Sequence, residues 1–385
     1  MKLLWMILVI FALAGGPFLY KYGNIFLEET ILENENIATT TQNEIKEPKE
    51  DAPDIEIVGE NLDVPWDIAF LPEGDLLVPE RSGTIIRLGK DKSKVKVSVP
   101  DVKEKGEGGL LGLTLHPKFS ENNLLYIYIT HTGSDGTINS VKRYHFLENK
   151  LTEEKTIISN IPGAPYHDGG RIEFGPDGFL YITTGDATKE DLAQDRNSLA
   201  GKILRVSENG EIPKDNPFGT AVYSYGHRNP QGIAWDDKGN LWSTEHGRSG
   251  VLSGLDELNV IVKGGNYGWP TIQGSETREG MASPVLHSGA DVTWAPASAE
   301  FINGSIFFGG LRGETLYEAK IVNEKKVTLV SHFYKEYGRI RAVRVGTDGF
   351  LYFTTSNQDG RGNVKTGDDK IVRVGLLFLQ RKSNP

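Results

Sequence analysis

An arginine, an asparagine and a proline stand side by side at positions 228–230, within Ala-Val-Tyr-Ser-Tyr-Gly-His-Arg-Asn-Pro-Gln (221–231). The guanidinium of Arg228 offers a planar fork of donors that suits paired oxyanions, and Asn229 adds a donor and an acceptor. Pro230 fixes the backbone φ angle, so the pair is expected in a loop rather than inside a strand. The segment alone fits both a solvated structural loop and an anion-binding site.

Two polar residues close to paired glycines are candidates for the same site. His167 lies in Tyr-His-Asp-Gly-Gly-Arg (166–171), and an exposed loop imidazole can act as a general base near neutral pH. Glu107 lies in Lys-Gly-Glu-Gly-Gly-Leu (105–110), where glycines let a ligand approach the backbone closely. Taken singly, His167 also fits a structural histidine that hydrogen-bonds a neighbouring loop, and Glu107 also fits a surface turn.

Arginines recur towards the C-terminus. Arg339 and Arg341 lie two residues apart in Gly-Arg-Ile-Arg-Ala (338–342), so in a strand both side chains point to one face. Two guanidinium groups at that spacing repel each other unless an anion lies between them. With Arg228 and Arg312 they are expected to form a cationic floor for a ligand with several carboxylates. A solvent-facing strand side is the alternative.

Oxygen ligands cluster in Asp-Glu-Leu-Asn (256–259), which is followed by Gly-Gly-Asn-Tyr-Gly-Trp-Pro (264–270). Carboxylates, an amide and a turn with free carbonyl groups form the oxygen-only ligand set that calcium prefers. We therefore expect a calcium site in this segment, with a solvated acidic turn as the alternative.

The elements that must position these residues are predicted by a recurring pattern. An apolar strand, a turn with Asp or Asn and Gly, and a second strand rich in aromatic and β-branched residues follow one another, as in a hairpin. The copies span residues 68–78, 113–127, 172–182, 233–242 and 343–353, with a weaker copy around 304–310. Successive copies lie roughly 50–60 residues apart, within the range of propeller repeats.

The predicted fold is all-β. No long amphipathic helix with a capped start is evident, which disfavours alternating strand and helix units. We predict a six-bladed β-propeller over residues 55–378, with a ring of seven or eight short blades as the alternative. The last strand, 370–374, is expected to share a blade with the first, 55–58, because such closure leaves no long sheet edge exposed.

Composition excludes some partners and sites. The chain has 385 residues and a formal net charge of −10 with no basic stripe, so no nucleic-acid partner is expected. It contains no cysteine, which excludes disulfides, thiolate metal sites and cysteine nucleophiles.

The N-terminal region differs from the rest of the chain. Lys2 precedes an apolar run from Leu3 to Leu19, so residues 1–27 are predicted to be a signal peptide or a membrane anchor, which fit equally well. Residues 28–54 are rich in Glu, Asn, Thr and Lys and are predicted to form a disordered linker. We expect the propeller to be exported to the periplasm or the cell surface, with N-terminal membrane contact.

Taken in order, these motifs resemble those of the soluble pyrroloquinoline-quinone-dependent sugar dehydrogenases, in particular the aldose sugar dehydrogenases. The resemblance runs from Val-Pro-Trp-Asp-Ile-Ala-Phe (64–70) to Val374. Its other specific pieces, besides those quoted above, are residues 201–206, 210–218, 228–232 and 245–247. Each piece is weak alone, whereas their common order and spacing are specific.

The resemblance implies roles for the basic residues. It makes His167 the catalytic base that takes the proton of the sugar's C1 hydroxyl. It makes Arg228 and Asn229 quinone-binding residues, with Arg228 near the reactive carbonyl. It places Arg339 and Arg341 around the carboxylates of the cofactor.

The resemblance also marks departures and a metal site. Arg312 falls where the family usually has a lysine that contacts the cofactor. Glu107 falls where the family commonly has a glutamine, and a carboxylate there would repel the cofactor unless it is protonated or paired. Glu257 and the carbonyl of Tyr267 match a structural calcium site, and Trp294 is expected at the substrate mouth as a stacking face for a sugar.

The implied reaction is oxidation of an aldose sugar at C1 to a lactone by hydride transfer to pyrroloquinoline quinone. Calcium is the second implied cofactor, and an external electron acceptor is the implied partner. Two other classes stay open: a calcium-dependent lactonase-type propeller that needs no quinone, and a non-enzymatic surface binding propeller. Glu107 is the feature that most favours the binding propeller, whereas clustered arginines fit a lactonase poorly.

Overall fold

The computed structural model describes residues 53–134, 136–250, 253–323 and 325–383. The predicted signal peptide or anchor at 1–27, and all but the last two residues of the predicted linker at 28–54, lie outside these ranges. Among the residues described, no helix is long and apolar enough to cross a membrane.

The described chain folds into six antiparallel sheets of four strands each, and these sheets are the blades of a propeller. The first three blades are β2–β5 (Ala69–Phe70, Leu76–Glu80, Thr84–Leu88, Lys94–Ser98), β6–β9 (Leu110–Leu115, Leu124–Gly133, Gly136–Leu147, Lys150–Pro162) and β10–β13 (Ile172–Phe174, Leu180–Thr184, Lys202–Val206, Val222–Tyr225). The all-β, six-bladed prediction is confirmed.

The remaining blades complete the ring. They are β14–β17 (Pro230–Trp235, Leu241–Glu245, Glu257–Ile261, Leu286–His287), β18–β21 (Pro296–Ile302, Ser305–Gly310, Thr315–Asn323, Lys326–His332) and β22–β24 (Ile340–Val345, Leu351–Thr355, Ile371–Val374) together with β1 (Ile55–Gly59). Helical turns are short: an α-helix at Phe119–Asn122, a 3₁₀ helix at Glu190–Ala193 and a C-terminal α-helix at Leu376–Ser383. Blades therefore make up almost all of the described core.

The predicted turns join the first and second strands of their blades. In four blades the turn is closed by the same backbone hydrogen bond, for example from Gly175 N–H to the Phe179 carbonyl (2.9 Å) and from Gly346 N–H to the Phe350 carbonyl (2.8 Å). Gly178 adopts a φ of 77°, which explains why glycine recurs at this position of the pattern. The copy at 113–127 instead contains the short helix Phe119–Asn122.

The ring closes between the ends of the described chain. β1 pairs antiparallel with β24, with Ile55 opposite Val374 and Ile57 opposite Val372. The predicted sharing of a blade between the first and last strands is confirmed. Closure gives that sheet four strands, as in the other blades.

Five ionisable side chains from four blades meet where the inner strands face one another. The guanidinium of Arg344 lies 2.7 Å from Glu173, 3.3 Å from Asp67 and 3.4 Å from Glu300. Arg171 pairs with Asp67 on the opposite side, and both side chains are fully buried. These five residues are called the axial ion cluster below. Because every carboxyl group of the cluster lies within 3.4 Å of the guanidinium of Arg344, the cluster ties four blades together without an isolated charge.

The axial ion cluster predicts a pH-dependent stability. Burial and the neighbouring Glu173 outweigh the attraction of Arg344 and raise the pKa of Glu300 to about 7. The folded protein therefore holds a proton that the unfolded chain loses near its ordinary pKa of 4.5, so this group's contribution to stability is present at acid pH and lost as pH rises towards 7. Glu300→Gln stays neutral, so its free energy of unfolding should gain about 1–3 kcal/mol relative to the parent between pH 5 and pH 8.

Urea unfolding at the two pH values measures this difference. Glu121→Gln, which removes an exposed carboxylate from the short helix, is the matched control and should show no such gain. If the free energies of unfolding of the parent and of Glu300→Gln changed in parallel with pH, Glu300 would be ionised over this whole pH range, which would contradict the prediction.

Candidate active site

A cavity of about 560 Å³ opens at the end of the ring where the inner strands begin. In an antiparallel blade, two kinds of loop reach this end. One kind precedes the inner strand, and the other joins the second strand to the third. The cavity is lined by six of the residues that the sequence singled out: Glu107, His167, Arg228, Arg312, Arg339 and Arg341. Residues from five loops far apart in the chain thus reach one pocket.

His167 has a defined carboxylate partner. Its Nδ1 lies 2.7 Å from Oδ1 of Asp186, whose other oxygen accepts a 2.9 Å hydrogen bond from the indole N–H of Trp269. Asp186 is almost fully buried, whereas the imidazole is 15% exposed. An ionised carboxylate at Nδ1 fixes the tautomer that carries its proton there, which leaves Nε2 as the proton acceptor.

Glu107 is paired rather than free. Its Oε1 lies 2.8 Å from the guanidinium of Arg361, and its Oε2 accepts a 3.2 Å hydrogen bond from the backbone N–H of His167. Burial alone would raise the pKa of Glu107, but the contact with Arg361 and the positive charge that His246 carries only at acid pH outweigh it, so the pKa is lowered. A carboxylate at this position was expected to repel the cofactor unless it is protonated or paired, and the structure supplies the pair.

An anion separates the two neighbouring arginines, as their spacing required. Oδ2 of Asp359 lies 2.7 Å from Nη2 of Arg339 and 3.7 Å from Nη2 of Arg341. Arg341 also donates to Ser356 (3.2 Å) and faces the ring of Trp66 at 5.8 Å. Burial lowers the pKa of Arg341 to about 9, against the opposing effect of Asp359. One carboxylate shared by two guanidinium groups leaves net positive charge on this wall.

Arg228 and Asn229 hold buried donors that have no partner in the described structure. Nη2 of Arg228 donates to Ser249 (2.7 Å) and its guanidinium lies 5.2 Å from the ring of Trp269, but its Nε is unsatisfied. Oδ1 of Asn229 accepts from Gly169 N–H at 3.1 Å, whereas its Nδ2 is unsatisfied. Asn229 lies beside the cavity and not among its lining residues. Unpaired buried donors are costly, so both atoms indicate a missing acceptor.

The loop between β15 and β16 adds two residues that the sequence analysis did not select. His246 and Arg248 line the cavity, and each has a buried ring or guanidinium nitrogen without a partner in the described structure, namely Nε2 and Nε. Burial lowers the pKa of His246 to about 4, so its imidazole is neutral at physiological pH. Arg312 lies across from this loop and donates to Ser253 at 2.8 Å.

Glu257 and Tyr267, the predicted calcium ligands, do not line the cavity. Glu257 lies opposite Glu245 in the β15–β16 ladder, and burial together with that neighbour raises its pKa to about 8. Close by, Oδ1 of Asn259 is buried and unsatisfied, as is Oε1 of Gln273, whose neighbour Gly274 donates to Glu257. Among the described residues no three His, Cys, Asp or Glu side chains group as metal ligands. The available oxygens are carboxylate, amide and carbonyl groups, which suit calcium.

Trp294 is not at the mouth of the cavity, contrary to the sequence-based expectation. Its side chain is 5% exposed and packs against Phe308 and Tyr317, with ring centroids 5.7 Å away in each case. Only its neighbours Thr293 and Ala295 line the cavity. The indole faces the core because its backbone is fixed by Asp256, which accepts the N–H of Trp294 at 2.6 Å.

The sequence model of the Glucose / Sorbosone dehydrogenase family matches residues 62–372, which is most of the chain. The chain belongs to this family.

Relatives in this dehydrogenase family match over most of their length. Aldose sugar dehydrogenase YliI of Escherichia coli is 33% identical over 341 residues, which cover 80% of this chain and 91% of that protein. The solved PQQ-bound form of aldose sugar dehydrogenase from Streptomyces coelicolor is 40% identical, with a TM-score of 0.77 over 83% of this chain and 97% of that one. A putative oxidoreductase (glucose dehydrogenase) from Thermus is 42% identical, with a TM-score of 0.78 over 83% of this chain and 98% of that one.

Sequence reasoning missed the partners of the site residues in this dehydrogenase fold. Asp186, Asp359 and Arg361 lie in loops without a repeated motif, and each is defined by the residue it contacts. His246 and Arg248 stand within and just after Glu-His-Gly (245–247), a motif that was noted but given no role. Their position in the β15–β16 loop, beside Asp-Glu-Leu-Asn, was the available signal.

The Glu107–Arg361 contact predicts a measurable titration. Arg361→Gln removes the cation nearest to Glu107, so the pKa of Glu107 should rise because burial is then less opposed. Carboxyl ¹³C NMR of glutamate-labelled protein follows the titration of Glu107, and the signal missing from Glu107→Gln assigns it. Arg381→Gln, which breaks an exposed pair with Asp54, is the matched control and should leave the signal unchanged. An unchanged Glu107 titration in Arg361→Gln would assign the low pKa to His246 instead.

Proposed function

We propose that the chain is a quinoprotein dehydrogenase that oxidises the C1 hydroxyl of aldose sugars to lactones with pyrroloquinoline quinone as cofactor. The observation that carries the proposal is the meeting of one carboxylate-held imidazole, His167, with six arginines in one cavity. The names of the relatives agree with it: one is an aldose sugar dehydrogenase solved with PQQ bound.

The residues present fit the quinone. It is a flat anion with several carboxylates, and the cavity offers guanidinium groups as well as the unsatisfied donors of Arg228 and Asn229. Arg228, Asn229, Arg312, Arg339 and Arg341 are the residues we propose to hold it. Glu107 would lie against it as a carboxylate neutralised by Arg361, which removes the expected repulsion.

Each residue at the reacting centre has a separate task. When bound, the quinone supplies the acceptor for the hydride that leaves C1 of the sugar. His167 takes the proton of the C1 hydroxyl on Nε2, while Asp186 holds Nδ1 and stabilises the charge that the imidazole gains. The cation of Arg228, desolvated beside Trp269, favours negative charge that develops next to it.

Calcium is proposed at Glu257 with the carbonyl of Tyr267, and Asn259 and Gln273 offer further oxygens nearby. A cation there would stabilise the ionised form of Glu257, which burial and Glu245 otherwise disfavour. The site lies under the strand end that carries the β15–β16 loop, so its proposed role is structural.

The proposal includes a location and a partner. Electrons taken from the sugar must leave through an external acceptor, which the cavity can meet at its open mouth. The sequence of residues 1–27 supports an exported, extracytoplasmic protein with membrane contact through that segment.

The alternatives draw less support. A calcium-dependent lactonase needs several carboxylate ligands that converge in the cavity, yet Glu107 is taken by Arg361 and Asp256 accepts the N–H groups of Gly247 and Trp294. A binding propeller was favoured mainly by an unpaired Glu107, and that carboxylate is paired.

Reconstitution tests the reaction. Purified protein given PQQ and calcium should reduce an artificial dye when one member of an aldose panel is added. His167→Ala should bind PQQ almost as tightly while turnover falls by about 10²–10⁴, the typical contribution of a positioned general base. Dye reduction measures turnover, and titrated quenching of tryptophan fluorescence measures binding.

Asp186→Asn should lower turnover in the same assay with little change in PQQ affinity, because the imidazole loses the negative charge that stabilises its protonated form. Dye reduction by His167→Ala at the parent rate would refute the assignment of the base. Absence of PQQ binding by the parent protein would refute the dehydrogenase proposal itself.

Calcium should stabilise the fold through Glu257. Adding calcium to EDTA-treated protein should raise the melting temperature of the parent, since a ligand that binds only the folded state stabilises it. Glu257→Gln should lose most of this rise, whereas Glu279→Gln, an exposed change in the following loop, should keep it. Equal calcium-induced shifts in Glu257→Gln and the parent would place the ion elsewhere.

A further inference from the structure

Phenol or indole rings line the cavity at two positions among the residues that the structure describes, Trp66 and Tyr166. Trp66 is 2% exposed, and its ring faces the guanidinium groups of Arg171 at 4.4 Å and Arg341 at 5.8 Å. Tyr166 is 49% exposed. The aromatic surface that a ligand can reach on entering the cavity is therefore that of Tyr166.

The backbone on both sides of Tyr166 is held by Glu107. The N–H of Glu107 donates to the carbonyl of Pro165 at 2.9 Å, and Oε2 of Glu107 accepts the N–H of His167 at 3.2 Å. Tyr166 is the residue between these two contacts. Its position is therefore fixed relative to the imidazole that follows it in the chain.

The ring of Tyr166 is also oriented by a neighbouring cation. The guanidinium of Arg361 lies 5.6 Å from the centre of the ring, a distance at which the two attract each other. Arg361 is itself fixed, because its Nη1 lies 2.8 Å from Glu107 and its backbone N–H donates to Asp359 at 3.0 Å. An aromatic ring that is oriented before a ligand arrives loses less conformational entropy when the ligand binds.

The cavity residues lie at different depths. Arg228, Arg339 and Arg341, which we propose to hold the quinone, are each 6% exposed. The imidazole of His167 is 15% exposed, and Tyr166 is 49% exposed. C1 of the sugar must lie between the quinone and His167, so the rest of the sugar ring extends towards the mouth, where Tyr166 lies.

A phenol ring at the mouth suits one part of a sugar. A sugar ring carries hydroxyl groups around its rim and C–H groups on its faces, and an aromatic ring buries such an apolar face well. The sequence analysis expected Trp294 to provide this surface, but Trp294 packs into the core. Tyr166 provides an exposed aromatic ring beside the base instead.

We propose that Tyr166 is a substrate-binding residue, whose ring packs against the C–H face of the aldose while the C1 hydroxyl meets His167. The proposal rests on the dehydrogenase function proposed above. It adds a contact residue for the sugar, separate from the residues that hold the quinone.

The test is steady-state dye reduction by the full-length protein loaded with PQQ and calcium, with the aldose that the parent oxidises fastest. Tyr166→Ala should raise KM about 5- to 20-fold and leave kcat unchanged, because packing against the sugar acts equally in the bound state and in the transition state. Its affinity for PQQ, measured by quenching of tryptophan fluorescence, should equal that of the parent.

Two variants separate the ring from a general effect of substitution. Tyr166→Phe keeps the ring and should keep the KM of the parent. Tyr334→Ala is the matched control, because Tyr334 is 63% exposed with the ammonium group of Lys335 5.0 Å from its ring, but does not line the cavity. It should also keep the KM of the parent. A thermal melt confirms that each variant is folded.

Binding of the product lactone gives a readout without turnover. Saturation-transfer NMR of the lactone on oxidised, PQQ-loaded protein measures its dissociation constant. Tyr166→Ala should weaken lactone binding by about the factor by which it raises KM, since both ligands present the same ring face. Tyr334→Ala should bind the lactone like the parent.

The outcomes distinguish this inference from the function beneath it. A parent-like KM and parent-like lactone binding in Tyr166→Ala would overturn the sugar contact. Weaker PQQ binding by this variant would assign the ring to the quinone, and an equal loss in Tyr166→Phe would assign the contact to the hydroxyl group, so either would overturn the proposal. Absence of turnover by the PQQ-loaded parent with every aldose of the panel would instead overturn the proposed dehydrogenase function.

Discussion

The structure depends on how charge is balanced where the inner strands meet. Arg344 faces three carboxylates from three other blades, and Arg171 completes the cluster against Asp67. A buried ion pair adds little net stability, yet breaking one costs much, so such a cluster specifies which strands face each other. Because every inner strand leads directly from a cavity loop, the same constraint sets where those loops begin.

In the cavity, unlike in the axial ion cluster, the charges are not balanced. Its cations exceed its available anions, and the excess is arranged rather than cancelled: Asp359 keeps Arg339 and Arg341 apart, Arg361 screens Glu107, and serines hold Arg228 and Arg312. Positioned charge of this kind costs folding energy while the pocket lacks a ligand. In return, the cations already lie where they can stabilise a polyanionic ligand or a charged transition state.

Local signals made the ring predictable. The Asp-Gly turns are closed by bonds between residues four apart, as between Gly175 and Phe179, so the hairpins could be identified within short windows of sequence. The grouping of Glu107, His167, Arg228 and Arg339 in one cavity followed from the family resemblance.

Long-range contacts were beyond the same reasoning. Asp186, Asp359 and Arg361 have roles only through partners 19, 20 and 254 residues away, and nothing in their own neighbourhoods marks them. Trp294 was misplaced because an aromatic residue near a loop fits a sugar platform and a core contact equally well, and only the packing against Phe308 and Tyr317 separates the two.

The pairing of β1 with β24 has a mechanical consequence. The chain enters the ring through the outer strand of its closing blade, whose inner strand carries both Arg341 and Arg344. Tension applied ahead of Pro53 is therefore borne first by the ladder from Ile55 to Gly59 and by the contact of Asp54 with Arg381. A pull on that end would therefore load the outer strand of the closing blade before any other blade.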